Sequence, residues 1–228
     1  MRIGRLLGSG RSADVFALDD GRVLRRYRDG HDATEEAALM SYLADRGFPV
    51  PVVHPVPAAP PRGDLVMQRL SGPTMLQALA RGALTPRQAG RVLARLLHRL
   101  HAIPARVSRA ADQRVLHLDL HPDNVVLTPR GPVVIDWCNA VEGAPGLDWA
   151  MSALILAQVA VDPDGGPAPL AHSTLSSLLK GLGGSVDLGD GKAGFLRQAR
   201  ERRAGDRGLS RREVGLLDAA TALVLGRL

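Results

Sequence analysis

Apolar and polar positions along this chain change their period near residue 70. Up to there the apolar runs are short. Ile3 to Leu24 contains "GSGRSADVFAL", a "DDG" turn at 19–21 and then the start of "RVLRRY", which predicts strand, turn and strand. In "DATEEAALMSYLADRG", Ala33, Ala37, Met40 and Leu43 recur at helical spacing, with an aspartate before them and Gly47 after, so a capped amphipathic helix is expected. The proline-rich "FPVPVVHPVPAAPPRG" predicts a loop with at most edge-strand character, and "DLVMQRL" a further short strand. Residues 71–73, "SGP", break the pattern.

Beyond the break the period becomes helical. "TPRQAGRVLARLLHRLHAI" carries Val92, Leu93, Leu96, Leu97, Leu100 and Ile103 on one stripe and arginines on the other. The apolar segments "VLHLDL", "NVVLT" and "PVVIDW" read as strands around turn signals, and from Leu147 onward helices return, interrupted by "GLGGSVDLGDGKAG" and "RQARERRAGDRG". Elements segregated in this way predict an α+β chain in two lobes, a small β-rich one over residues 1–70 and a mainly helical one over 71–228.

Composition narrows the classes. With 45% hydrophobic and 23% charged residues over 228 positions, the chain can bury a sizeable core. Only 3% of residues are aromatic, which leaves few rings to stack bases. The net charge of +6 is carried almost wholly by arginine, with lysine at 180 and 192 alone. These arginines are spread over predicted helices, so they read as solvated faces and no nucleic-acid partner is expected. A single cysteine, Cys138, excludes an internal disulfide and fits a reducing cytoplasm. No leader segment is apparent. The most apolar window, "LDWAMSALILAQVAV", is too short for a membrane span and reads as a buried helix, so no membrane partner is expected.

The chemistry concentrates in "VLHLDLHPDNVVL", residues 115–127. In a continuous strand His117, Asp119 and His121 would share one face and could form a metal-ligand set, as in a metal-dependent hydrolase. The plainer reading is that the histidines fix a turn. Asp119, Asn124 and Asp136 offer two carboxylates and an amide oxygen. Oxygen donors suit a hard cation such as Mg²⁺ far better than zinc, and magnesium implies phosphate.

"HLDLHPDNVVL" followed by "VVIDW" resembles the catalytic segment of the aminoglycoside phosphotransferase-like family, small-molecule kinases related to the protein kinases. The resemblance extends to "LLHRLHAIP" and to "GAPGLDWA", where Asp148 matches a family aspartate of mainly structural role. It implies a protein-kinase-like fold, Mg²⁺, ATP or GTP as co-substrate, and transfer of the γ-phosphate to a hydroxyl of a small molecule. Asp119 is then the catalytic base, Asn124 and Asp136 the metal ligands, and His117 and His121 supports of the loop. Gly8 and Gly10 resemble the glycine-rich hairpin over the nucleotide phosphates, with Ala13 following. Val23 faces the adenine, Glu36 takes the place of the glutamate on the following helix, and the backbone of Gln68 and Leu70 meets the purine edge.

Two positions depart from the family pattern. Where the family has a phosphate-binding lysine, strand alternation favours Arg25, which is bulkier and presents a forked pair of donors. A nucleotide-binding pseudokinase acting through a partner is the alternative this substitution raises; the retained Asp119, Asn124 and Asp136 favour an active enzyme. Leu118 stands where many relatives have glycine. After Asp148 there are eight acidic residues against ten basic ones, so no dense negative field awaits a polycationic acceptor.

Overall fold

In chain order the computed structural model contains β1 (Leu6–Ser9), β2 (Ala13–Ala17), β3 (Arg22–Tyr27), α1 (Thr34–Asp45), β4 (Asp64–Gln68), α2 (Met75–Ala80) and α3 (Pro86–His101). There follow β5 (Arg114–Leu116), a 3-10 turn (Pro122–Asn124), β6 (Val125–Thr128), β7 (Gly131–Val134) and β8 (Val141–Gly143). The chain ends with α4 (Pro145–Val161), α5 (Ala168–Leu182), α6 (Phe195–Ala204), α7 (Arg211–Gly215) and α8 (Leu217–Leu225). The structure describes all residues except 1, 11, 20, 29, 56–62, 165–166, 184–187 and 189–193. The middle of the expected "DDG" turn, residues 56–62 of the proline-rich loop and most of the glycine-rich break lie outside the described residues.

The chain divides into two compact units. One is Met1–Gly72 together with Val126–Cys138; the other is Pro73–Val125 together with Asn139–Leu228. The sequence pattern places a single boundary at residue 70, and the return of 126–138 to the first unit has a local cause. The Val134 N–H donates to the Pro49 carbonyl at 2.8 Å, and the Trp137 ring lies edge-on to Phe48 at 5.7 Å. Gly72 adopts φ +139°, and a Cβ there would lie 2.0 Å from the Leu127 carbonyl oxygen, so only glycine permits this approach.

In the first unit β1 to β4 form an antiparallel sheet in sequence order. Leu18, Leu24 and Val66 make its core, with Phe16 packed against them. β3 is an interior strand paired on both sides, Arg25 opposite Val15 in β2 and Leu65 in β4. α1 begins where Asp32 accepts the Thr34 N–H at 3.0 Å and ends at Asp45, and Gly47, two residues on, takes φ +73° and turns the chain out of the helix.

In the second unit α3 starts on a capping box between Thr85 and Gln88, with Pro86 at its first position. Leu93, Leu96, Leu97 and Leu100 are all buried, as its stripe predicts. α3 approaches α5 closely because glycines face the contact: a Cβ on Gly90 would lie 2.5 Å from the Thr174 carbonyl oxygen, and one on Gly181 2.5 Å from the Ala94 Cβ. α4 is apolar all round and buried along most of its length, packing against α5, α6 and α8. A helix of that pattern belongs at the centre of a core. α2 escapes the periodicity because it is short, yet a capping box of Thr74 and Gln77 marks its start. Among the described residues no helix is long and apolar enough to cross a membrane.

The expected strand "VLHLDL" is shorter than its apolar pattern suggests. β5 stops at Leu116, because Leu118 turns to φ +61°, a left-handed conformation that no strand accommodates. His117, Asp119 and His121 therefore do not alternate along one strand face.

Candidate active site

In the second unit the segment His117–Asn124 is a loop held at several points. The Asp148 carboxylate, in the first turn of α4 and fully buried, accepts the N–H of His117 at 2.9 Å and of Leu118 at 2.8 Å. His101, from the end of α3, donates its Nε2–H to the same carboxylate at 3.0 Å. Burial alone would push the Asp148 carboxyl up; the hydrogen bond and charge of His101, with the donated N–H groups, reverse this and hold it below the ordinary carboxylate range.

Both loop histidines act on the backbone beside them. His117, completely buried, accepts the Asp119 N–H on Nδ1 at 3.2 Å, and His121 accepts the Asp123 N–H on Nδ1 at 3.3 Å, capping the 3-10 turn. Burial lowers the pKa of His121, with the Asp119 charge opposing, so the ring is neutral near pH 7. The Asp119 side chain keeps 25% exposure. Asn124, itself buried, donates its Nδ2–H to the Asp119 carbonyl at 2.9 Å and to Asp119 Oδ2 at 3.2 Å. Among the described residues no three His, Cys, Asp or Glu side chains cluster as a metal-ligand group. The hydrolase-type set of His117, Asp119 and His121 is not formed.

In the first unit a second constellation surrounds Arg25. Its side chain is 9% exposed, and it bridges two carboxylates, NH1 to Glu36 Oε1 at 3.2 Å and NH2 to Asp136 Oδ1 at 2.5 Å. Tyr27, two residues along β3, puts its ring 4.8 Å from the guanidinium carbon and donates its hydroxyl to Glu36 Oε2 at 2.6 Å. Burial first, then the Glu36 charge, push the Tyr27 pKa up, so it remains a neutral donor. Glu36 is buried while Glu35 is exposed. Asp136 has φ +66°, and its Oδ1 also takes the Cys138 thiol at 3.1 Å.

The remaining predicted positions lie in the sheet. Gly8 and Gly10 flank the tip of the β1–β2 hairpin; neither has a left-handed φ, and a Cβ would meet nothing within 4 Å at Gly8 and only an ordinary contact of 3.5 Å at Gly10. Internal packing therefore does not account for glycine at either place. Val23 is buried in β3. The Gln68 N–H is spent on the Val52 carbonyl at 2.8 Å, leaving only its carbonyl for a purine edge; the Leu70 N–H meets no acceptor among the described residues.

Arg28 escaped the sequence pattern. It reaches across the hairpin, donating to Ser9 Oγ at 2.9 Å, to Asp14 Oδ1 at 2.8 Å and to the Gly10 carbonyl at 2.5 Å. Asp14 lies in β2 and Arg28 one residue beyond the end of β3, and their opposite charges are the signal that could have revealed it.

The donor chemistry fits a hard divalent cation. Asn124 uses its amide nitrogen on Asp119, which turns the nitrogen away from any ligating role and leaves the amide oxygen for that purpose. In the first unit, the Asp136 carboxylate has 35% side-chain exposure. Neither offers sulfur or imidazole.

A β-sheet unit carrying a buried Arg–Glu–Asp bridge, and a helical unit carrying a pinned Asp-to-Asn loop, define a kinase-like phosphotransferase. A family model described as the APH phosphotransferase enzyme family matches residues 3–114 and 104–172, and the chain belongs to that family. It is a small-molecule kinase. No curated protein sequence gives a significant match. Among solved structures, the gentamicin complex of APH(2")-IIa superposes with a TM-score of 0.56 at 14% identity, covering 97% of this chain and 90% of that one. Amicoumacin kinase hAmiN, in complex with AMP-PNP, Ca²⁺ and Ami, gives 0.56 at 15% identity over 99% and 88%. A choline/ethanolamine kinase family protein from Mesorhizobium loti gives 0.54 at 15% identity over 98% and 88%. These similarities establish a two-lobed α+β fold of the kinase-like type.

Proposed function

We propose that the protein transfers the γ-phosphate of ATP or GTP to a hydroxyl group of a small molecule, with Mg²⁺, and that Asp119 is the catalytic base. One observation carries the reading: a partly exposed carboxylate, Asp119, is oriented by Asn124 on a loop that Asp148 anchors through two backbone N–H groups. Phosphoryl transfer asks for little covalent work from a protein and much positioning. Asp119 holds the acceptor hydroxyl in line and takes its proton as the new bond to phosphorus forms and the bond from that phosphorus to the β,γ-bridging oxygen breaks, the nucleoside diphosphate leaving. Asn124 and Asp136 would hold the cation, which neutralises charge on the phosphate oxygens. Backbone N–H groups around Gly8 and Gly10 cover the phosphates, and Arg25, kept in place by Glu36, supplies a permanent positive charge to them. Val23 meets the adenine, and the Gln68 carbonyl and Leu70 N–H its edge. AMP-PNP and ATP in the complexes of amicoumacin kinase and APH(2")-IIa support the nucleotide.

The acceptor side is poor in available negative charge. Arg212 occupies Asp162 and Asp164, Arg200 occupies Asp218 at 2.6 Å, Glu213 caps α7 and Asp206 accepts the Gly208 N–H at 2.8 Å, while Glu201 is exposed; Asp187 and Asp190 lie outside the described residues. An acceptor less cationic than gentamicin is favoured.

The test couples two measurements. ATP or GTP with Mg²⁺ should raise the melting temperature at millimolar levels, and a coupled assay over alcohols, sugars and antibiotics should detect turnover. Asp119→Asn should lower kcat by about 10²–10⁴-fold with nucleotide affinity nearly unchanged. Undiminished turnover in that variant, or no stabilisation by either nucleotide, overturns the assignment.

A further inference from the structure

Arg25 is held in a way that bears on when a metal can bind, granted the phosphotransferase reading above. Its guanidinium lies at the centre of β3 and is gripped by Glu36 on one nitrogen and Asp136 on the other. Tyr27 closes a third side, with its ring against the guanidinium and its hydroxyl on Glu36. The contact with Asp136 is the shorter of the two bridges, 2.5 Å against 3.2 Å. The same Asp136 oxygen takes the Cys138 thiol. One oxygen of the metal-ligating carboxylate is thus covered by two donors.

We propose that Arg25 is a latch on Asp136: its guanidinium competes with a divalent cation for the carboxylate, so that the cation binds tightly only together with a triphosphate that draws the guanidinium away. The physical basis is competition. A cation approaching Asp136 must displace a charge-assisted hydrogen bond from a group that never loses its charge, and it must do so beside that charge. A polyphosphate reverses the balance. It offers the guanidinium a forked set of oxygens of the type it binds best, releases Asp136, and supplies oxygens of its own to the cation. A lysine would bring a compact point charge with no planar fork, and would span Glu36 and Asp136 less completely. Arg25 is on this account a positioning residue that orders the binding of nucleotide and metal.

The experiment reads metal binding and not turnover. Mn²⁺, which shares the oxygen-donor preference of Mg²⁺, is titrated into the whole protein with and without saturating ATP and followed by electron paramagnetic resonance. Wild-type protein should bind Mn²⁺ weakly alone and at least about ten-fold more tightly with ATP, more than ATP by itself binds in a blank. Arg25→Gln should raise the nucleotide-free Mn²⁺ affinity by roughly ten-fold and shrink the ATP effect. Arg25→Lys, which retains a cation between the two carboxylates and so guards against misfolding, should move in the same direction by a smaller factor. Equal nucleotide-free affinities in wild type and both variants overturn the latch while leaving the phosphotransferase reading intact. No protein-bound Mn²⁺ in any of the three, even with ATP, overturns both.

Discussion

The Asp148 carboxylate accepts the Leu118 N–H at 2.8 Å, and Leu118 is one of two described non-glycine residues with a left-handed backbone. The bond comes from α4 and lands where the chain must leave β5 and turn toward Asp119. Asp148→Asn replaces an acceptor of three hydrogen bonds by an amide that turns an N–H toward one of them. We expect a loss of about 3–5 kcal/mol, measured by urea unfolding. The folded-state pKa of Asp148 is depressed, so its contribution is complete above the unfolded carboxyl pKa near 4 and disappears as pH falls through the lower, folded value. The gap between wild type and variant should therefore persist above about pH 5 and the Asp148 contribution should be lost only well below about pH 4. A gap that closes near neutral pH contradicts this account.

Leu118 carries a second test at the same turn. Glycine would relieve a left-handed conformation that costs about 1–2 kcal/mol, but the Leu118 side chain is only 1% exposed and removing a buried leucine costs about 3–5 kcal/mol. The packing lost exceeds the strain relieved. Leu118→Gly should thus lower stability by roughly 1–4 kcal/mol; a stabilised variant shows that the strain outweighs the packing.

Much of this was legible in the pattern. "RVLRRY" forms a strand over its whole length, and of the expected α3 stripe Leu93, Leu96, Leu97, Leu100 and Ile103 are buried while Val92 is half-buried. Val23, Leu24 and Arg25 are all buried in β3, so burial there does not follow the strand's alternation. What the pattern misjudged is the run from Val115 to Leu120. Its apolar residues are those of a strand, yet the conformation is fixed by Asp148, some thirty residues away, which the period of the segment does not register. The bridge from Arg25 to Asp136 was hidden for the same reason, since 111 residues separate the partners. The pairing of 126–138 with the first unit depends on Gly72 and Pro49, which read locally as a break and a loop.

Helix propensity and packing oppose each other at Gly90. Alanine inside a helix ordinarily gains about 0.8–1 kcal/mol over glycine. Here the added Cβ would lie 2.5 Å from the Thr174 carbonyl oxygen and 2.8 Å from the Leu178 nitrogen, both backbone atoms of α5, and overpacking of that kind costs about 1–3 kcal/mol. Gly90→Ala should therefore lower the melting temperature. Gly215→Ala is the control, because its Cβ would meet nothing within 4 Å, and it should be neutral or stabilising. The two variants moving together would show that the α3–α5 approach is not set by Gly90.

Cys138 sits beside Asp136, where a reactive thiol would invite a catalytic interpretation. Burial, followed by the Asp136 charge and hydrogen bond, pushes its pKa up to about 12. An ordinary cysteine titrates near 8.5, so at pH 7.5 the thiolate population is lower by roughly a thousand-fold. Alkylation by iodoacetamide should accordingly be slow in the folded protein, rise with pH without a midpoint below about pH 10, and become fast once urea exposes the thiol. Cys138→Ala removes only a weak donor from Asp136 and should change stability by less than about 1 kcal/mol. Rapid labelling with a midpoint between about pH 7 and 9 would place a thiolate beside Asp136 and remove the argument that Cys138 serves there as a neutral donor.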